Sequence, residues 1–182
     1  MTNASLSRLF LVFLAFVVIL YGAYVRLTDA GLGCPDWPGC YGKLVVSELD
    51  DPNFSFAPGT NYGKAYREMV HRYLAGILGL GIFGLFIHYW VNEGKRTLFS
   101  SETILLPMVL FQAFLGLLTV TMLLKPLIVT GHLIGGFMTL SLLWWSFLRN
   151  NFELAHEPSI PPFYRPFIIF CLAILSVQIF LG

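Results

Sequence analysis

Pro126–Leu148, "PLIVTGHLIGGFMTLSLLWWSFL", runs for 23 residues without an Asp, Glu, Lys or Arg, and its one titratable side chain is His132. As a helix, a run of this length crosses a hydrocarbon core of about 30 Å. Two further runs, Tyr73–Val91 and Thr103–Leu124, are equally free of those charges. Leu9–Val25 and Phe167–Gly182 are apolar but shorter, at 17 and 16 residues. Tyr89, Trp90, Trp144 and Trp145 sit near the ends of these runs, as interfacial aromatics do. With 57% hydrophobic and 12% charged residues and a mean hydropathy of +0.74, the chain is no ordinary soluble domain. The pattern predicts an all-α, polytopic membrane protein. A four-helix transmembrane bundle covers 1–150 with a long loop at 27–67, 151–166 is a cytoplasmic linker, and 167–182 starts a fifth helix.

The first run is expected to be retained, because Arg26 follows it with no small-residue cleavage site. With no Arg-rich, Ser-rich leader, a bacterial inner membrane is the expected location. A net charge of +1 and the lack of a basic stripe argue against nucleic acid as a partner. Alternating the helices puts Arg8, Lys95, Arg96, Arg149 and Arg165 on one side, and Arg26, Lys43, Lys64, Arg67, Arg72 and Lys125 on the other. That count leaves orientation open, since long loops obey the charge rule poorly.

The loop contains "LGCPDWPGCYG", Leu32–Gly42. Pro35 and Pro38 hold such a segment compact, so the Cys34 and Cys40 sulfurs can come within bridging distance. Two cysteines without a nearby histidine are too few for a structural zinc site. A structural staple and a functional thiol pair remain as alternatives. An oxidised pair would put this loop in the periplasm and the N-terminus in the cytoplasm. Cys171, within an apolar run, reads as a small core residue.

Two histidines enter the bilayer from the same side. His71 follows "YREMV", and His132 lies six residues past Pro126. At about 1.5 Å per residue, both imidazoles should sit roughly 6–9 Å below their helix starts. Ionisable groups at this depth usually face the bundle interior and mark function. Ala75 and Gly79 below His71, and Gly135 and Gly136 below His132, would leave room for a flat macrocycle with its iron held by both imidazoles. Close helix packing through the same small residues is the competing account. His88 reads as interfacial and His156 as solvated. Glu68 either complements the positive end of its helix or sits at the edge of a bound ring, where it stabilises charge or relays a proton. Arg72 either pairs with a ring carboxylate or snorkels to the interface. Gln112, Thr119 and Thr121 receive no role.

Together "VRLTDAGLGCPDWPGCYG" at 25–42, "EMVHR" at 68–72 and "GHLIGG" at 131–136 resemble the N-terminal half of haem A synthases. The resemblance implies half of an eight-helix, two-bundle fold. It also implies oxidation of a ring methyl of haem O to a formyl group, giving haem A for terminal oxidases. By the same resemblance His71 and His132 match the pair for the substrate haem, Glu68 matches the catalytic glutamate, and Cys34 and Cys40 match a disulfide-forming pair. A haem B cofactor would belong to the C-terminal half. The implied partners are haem O, a haem O synthase and a quinone or other redox donor or acceptor, with a homo-oligomer as one possibility. The sequence carries no second histidine pair, so a fragment holding the substrate-haem half is expected. A bis-histidine b-type cytochrome that only transfers electrons is the alternative, and a haem-free assembly protein is the third.

Overall fold

The computed structural model describes residues 3–92, 100–151 and 163–181. Helix α1 spans Asn3–Leu27, α2 Tyr62–Asn92, α3 Ser101–Thr121, α4 Pro126–Asn151 and α5 Tyr164–Leu181, with one 3-10 turn at Val46–Leu49. The helices α1 to α4 are long and apolar enough to cross a membrane. The expected all-helical, multi-pass bundle is therefore present. Most of the linker at 151–166, including His156, lies outside the described residues, as do Lys95 and Arg96.

The helix ends follow local chemistry. Asn61 accepts the Lys64 N–H through its side chain and starts α2 well before the apolar run. Ser100 does the same for Thr103 at α3, and Pro126 opens α4, where its missing N–H costs nothing. α3 stops at Thr121 rather than continuing to Leu124. Leu123 and Leu124 turn the chain at φ 51° and 55°, values uncommon for residues with a Cβ. The resulting short connection makes α3 and α4 antiparallel neighbours.

Each of these four helices packs on two others, in the closed order α1–α2–α3–α4–α1. The apolar core lies towards the N-terminal end of α1, where Leu11, Leu14 and Ala15 meet Leu78, Ile82 and Leu85 of α2, Leu105 of α3 and Leu143 of α4. Gly81 admits the Leu11 side chain between α1 and α2. At this end Arg8 of α1 donates to Glu102 of α3 at 3.3 Å, with both side chains almost fully buried. Glu102 also accepts from Ser146 at 2.7 Å and Asn150 at 3.3 Å of α4. Without water, carboxylate and guanidinium must satisfy each other inside the protein.

α5 makes no extended contact with the bundle. Cys171, expected in a core, is a half-buried free thiol, because no helix packs over the surrounding face.

Removing one member of the Arg8–Glu102 pair strands the other. Arg8→Met alone should therefore destabilise the bundle by about 3–5 kcal/mol, and Arg8→Met with Glu102→Leu should recover most of the loss. Thermal unfolding of the three proteins in one detergent measures both effects.

Candidate functional site

At the opposite end the 28–61 loop folds back over the helices. Cys34 and Cys40 form a disulfide. Just beyond it Cys40 and Lys43 exchange two backbone hydrogen bonds, of 2.8 and 3.0 Å. Tyr41 and Gly42 between them sit at φ 52° and 74°, a turn that needs positive φ at both central residues and explains the glycine. The Asp36 carboxylate stabilises it by accepting from the Tyr41 and Gly42 N–H groups at 2.6 and 2.8 Å. The Tyr41 ring packs edge-on against Phe54 and Phe56. Beneath lie Cys34, Cys40, Val46, Leu49, Ala65 and Met69, a second small core. The loop is thus a folded cover with its own interior. Lys64 adds a contact at the rim, where it holds the exposed Asp29 carboxyl at 2.9 Å and lowers its pKa.

Two α2 side chains fasten this cover. Glu68 is 5% exposed, and its Oε2 accepts the Cys34 N–H at 3.0 Å. Gly33 makes this possible, because any Cβ there would collide with the Lys64–Ala65 backbone. The other carboxylate oxygen pairs with Arg72, one turn along the helix. Arg72 Nη1 in turn donates to the carbonyls of Asp36 at 2.8 Å, Pro38 at 3.3 Å and Gly39. Tyr73 extends the seam by donating to the Leu44 carbonyl at 2.6 Å. Glu68 therefore does not serve the first turn of its helix, the simpler expectation. α2 begins six residues earlier, and its first turn holds no acid. Arg72 does not snorkel; its hydrogen bonds go into the loop.

The histidines occupy the layer beneath. The His71 ring lies against Gly22 of α1, where an added Cβ would come 2.9 Å from Cε1. The His132 ring lies against Gly116 of α3, with a corresponding separation of 3.6 Å. The two imidazoles are within electrostatic reach of each other. The glycines that receive them are on α1 and α3. Gly135 instead accommodates the Gln112 side chain, and Gly136 faces Ile19. His71 also lies deeper along its helix than expected, nine residues past Tyr62.

Nδ1 of His71 and Nδ1 of His132 are both buried with no hydrogen-bond partner, as is Nε2 of Gln112. Buried polar atoms are nearly always satisfied, so three orphans in one layer call for a ligand. Among the described residues no cluster of three His, Cys, Asp or Glu could hold a bare metal ion. A metal within a macrocycle needs less: the ring supplies the in-plane ligands, and two axial imidazoles complete the set. The histidine pair fits that requirement.

Of the expected site residues, the structure brings Glu68, Arg72 and Cys34 into one hydrogen-bonded group and places His71 near His132. Thr119 and Thr121 bond only to carbonyls of their own helix, and His88 is exposed and bonded to Asn92. Sequence reasoning missed Asp36, Gly22 and Gly116. Asp36 had a signal, an Asp ahead of a Tyr-Gly turn; the glycines had none, because their partners lie on other helices.

The family model described as COX15-CtaA, cytochrome oxidase assembly protein, matches residues 7–182. The chain belongs to this family. A heme A synthase of Shewanella oneidensis is 40% identical over 97% of the chain and 54% of its own length. One from Shouchella clausii is 30% identical over 91% of the chain and 53% of its length, and one from Orientia tsutsugamushi is 26% identical over 80% and 40%. The chain thus spans about half the length of these curated relatives. No solved structure matches it. The matched residues include EMVHR, which supplies Glu68, His71 and Arg72, and GHLIGG, which supplies His132.

Arg72→Ala should release the cover without unfolding the bundle. Hydrogen exchange of the 34–42 amides should speed up by an amount corresponding to about 1.5–3 kcal/mol of local opening, with helix amides around Ile82 unchanged.

Proposed function

We propose that this chain provides the substrate-haem half of a haem A synthase. The observation that carries the reading is the pair of imidazoles under a folded loop whose buried Nδ1 atoms have no partner among the described residues, in a chain from this family. In this reading haem O is the substrate, and His71 and His132 hold its iron between α2 and α4. A ring methyl is hydroxylated twice, each step replacing a C–H by a C–OH bond and oxidising the carbon by two electrons, and the geminal diol loses water to give the formyl group. The geminal diol needs no further oxidant to collapse, because dehydration changes no oxidation state. With water as the oxygen source a quinone or another acceptor takes the electrons, and with O2 a redox donor supplies the two that reduce its second atom to water; by the family resemblance the haem B cofactor belongs to the C-terminal half.

The protein's own groups have distinct tasks. Gly22 and Gly116 keep the imidazoles in place by leaving room for them. Glu68 has both oxygens engaged, yet a carboxylate offers more lone pairs than two bonds use. It is the proposed catalytic acid, stabilising positive charge or relaying a proton at the edge of the ring. Arg72 contributes to haem binding by holding the loop closed, which excludes water and strengthens charge interactions beneath it. The Cys34–Cys40 disulfide supports a loop in an oxidising compartment, hence the periplasm of a bacterial inner membrane with the N-terminus in the cytoplasm.

The test is haem extraction and chromatography after co-expression with a haem O synthase, for this chain and for one extended to the length of its relatives. Haem A should appear with the extended protein. Glu68→Gln keeps an oxygen to accept the Cys34 N–H while removing the charge, and should reduce haem A about a hundredfold or more. Its bis-histidine spectrum should persist. Undiminished haem A from Glu68→Gln would remove the catalytic assignment. A bis-histidine spectrum with no haem A from either length would favour an electron-transferring cytochrome.

Gly22→Val should push the His71 ring aside and weaken haem binding about tenfold or more, since a 1 Å misplacement has effects of that order. Absorbance titration of the oxidised protein reads the change, with helix content as the control for folding.

A further inference from the structure

Among the described residues Arg67 has no hydrogen-bond or ion-pair partner. Its Nε is buried without a hydrogen bond, and among the described residues no carboxylate forms an ion pair with it. Glu68, its neighbour in sequence, is taken up by Arg72 and the Cys34 N–H. A guanidinium nitrogen shut off from water and left unpaired is costly, and the charge it carries calls for an anion. Arg67 precedes His71 by four residues, so the two share a face of α2, with Arg67 about 6 Å nearer the loop. Across from it lies Tyr21 of α1, within electrostatic reach and adjacent to Gly22, the residue that receives the His71 ring. The unpaired guanidinium therefore stands one turn outside the metal-binding layer, on the same wall.

We infer that Arg67 pairs with a carboxylate of the porphyrin held by His71 and His132, and so sets the ring with its carboxylate edge towards the cysteine loop. The inference rests on the proposed haem reading and deepens it. Arg72, the residue that the sequence puts forward for this role, has its hydrogen bonds committed to the loop and Glu68. Arg67 offers the whole fork of donors that a carboxylate accepts in bidentate fashion. It is a positioning residue: it fixes which edge of the ring faces the loop and thereby which methyl lies inward.

The test compares protohaem with its dimethyl ester, in which the carboxylates are blocked, by Soret-band titration of the chain in nanodiscs. Wild type should bind the ester about 10- to 100-fold more weakly than the free acid. Arg67→Gln should bind both forms alike, near the wild-type affinity for the ester, and Arg67→Lys should retain part of the preference. The wild-type comparison needs no substitution, so a poorly folding variant does not spoil it. Equal wild-type affinity for acid and ester overturns the inference while leaving the histidine reading intact. A preference that survives in Arg67→Gln does the same, as does an equal loss for both forms, which marks a structural role. If Arg67→Gln instead abolishes only a dependence of stability on anionic lipid, the anion is a lipid phosphate and the inference falls. Absence of any haem binding by wild type removes the haem reading and this inference together.

Discussion

The pairing of Glu68 with Arg72 on one face of α2 is the interaction on which the organised end of this protein depends. Each charge is compensated by the other where little water reaches them. Together they neutralise each other and present a carboxylate to the Cys34 N–H and a guanidinium to the Asp36, Pro38 and Gly39 carbonyls. A loop rich in proline and glycine, with one 3-10 turn and one tight turn of its own, thereby has further backbone groups satisfied by a helix. The disulfide closes the short ring of chain that this pair grips, and the aromatic packing of Tyr41, Phe54 and Phe56 fills the space around it.

The two ends of the bundle treat polarity in opposite ways. At one end Arg8, Ser146 and Asn150 converge on the Glu102 carboxylate across three helices, and the core beside them is close-packed leucine and isoleucine. At the other, His71, His132, Gln112 and Arg67 keep atoms that nothing among the described residues satisfies. A bundle stabilised at its closed end can carry unsatisfied groups at its open end, because the loss of stability there is offset elsewhere. That asymmetry is what a binding site requires.

Much of this was legible in the residues themselves. Apolar run length against bilayer thickness determines the four spans, since a backbone in lipid has no other way to satisfy its hydrogen bonds. The placement of His71 and His132 on the same side follows from alternation of the helices, and the proline-rich spacing of Cys34 and Cys40 makes their bridge feasible. The early start of α2 was hidden, because Tyr62–Arg72 is polar and its helical state is set by the Asn61 cap and the loop packed on it.

Sequence alone therefore determined the class of fold, its four apolar spans, and the titratable residues brought to one end. Tertiary structure decided which of those residues are bound by the protein and which are left for a ligand. Arg67 and Arg72 lie five positions apart on one helix and look equivalent in the sequence. Only the path of the loop, lying on Gly33 and turning at Gly42, gives one of them its partners and leaves the other with none. Such contacts depend on segments more than thirty residues distant, and no local pattern encodes them.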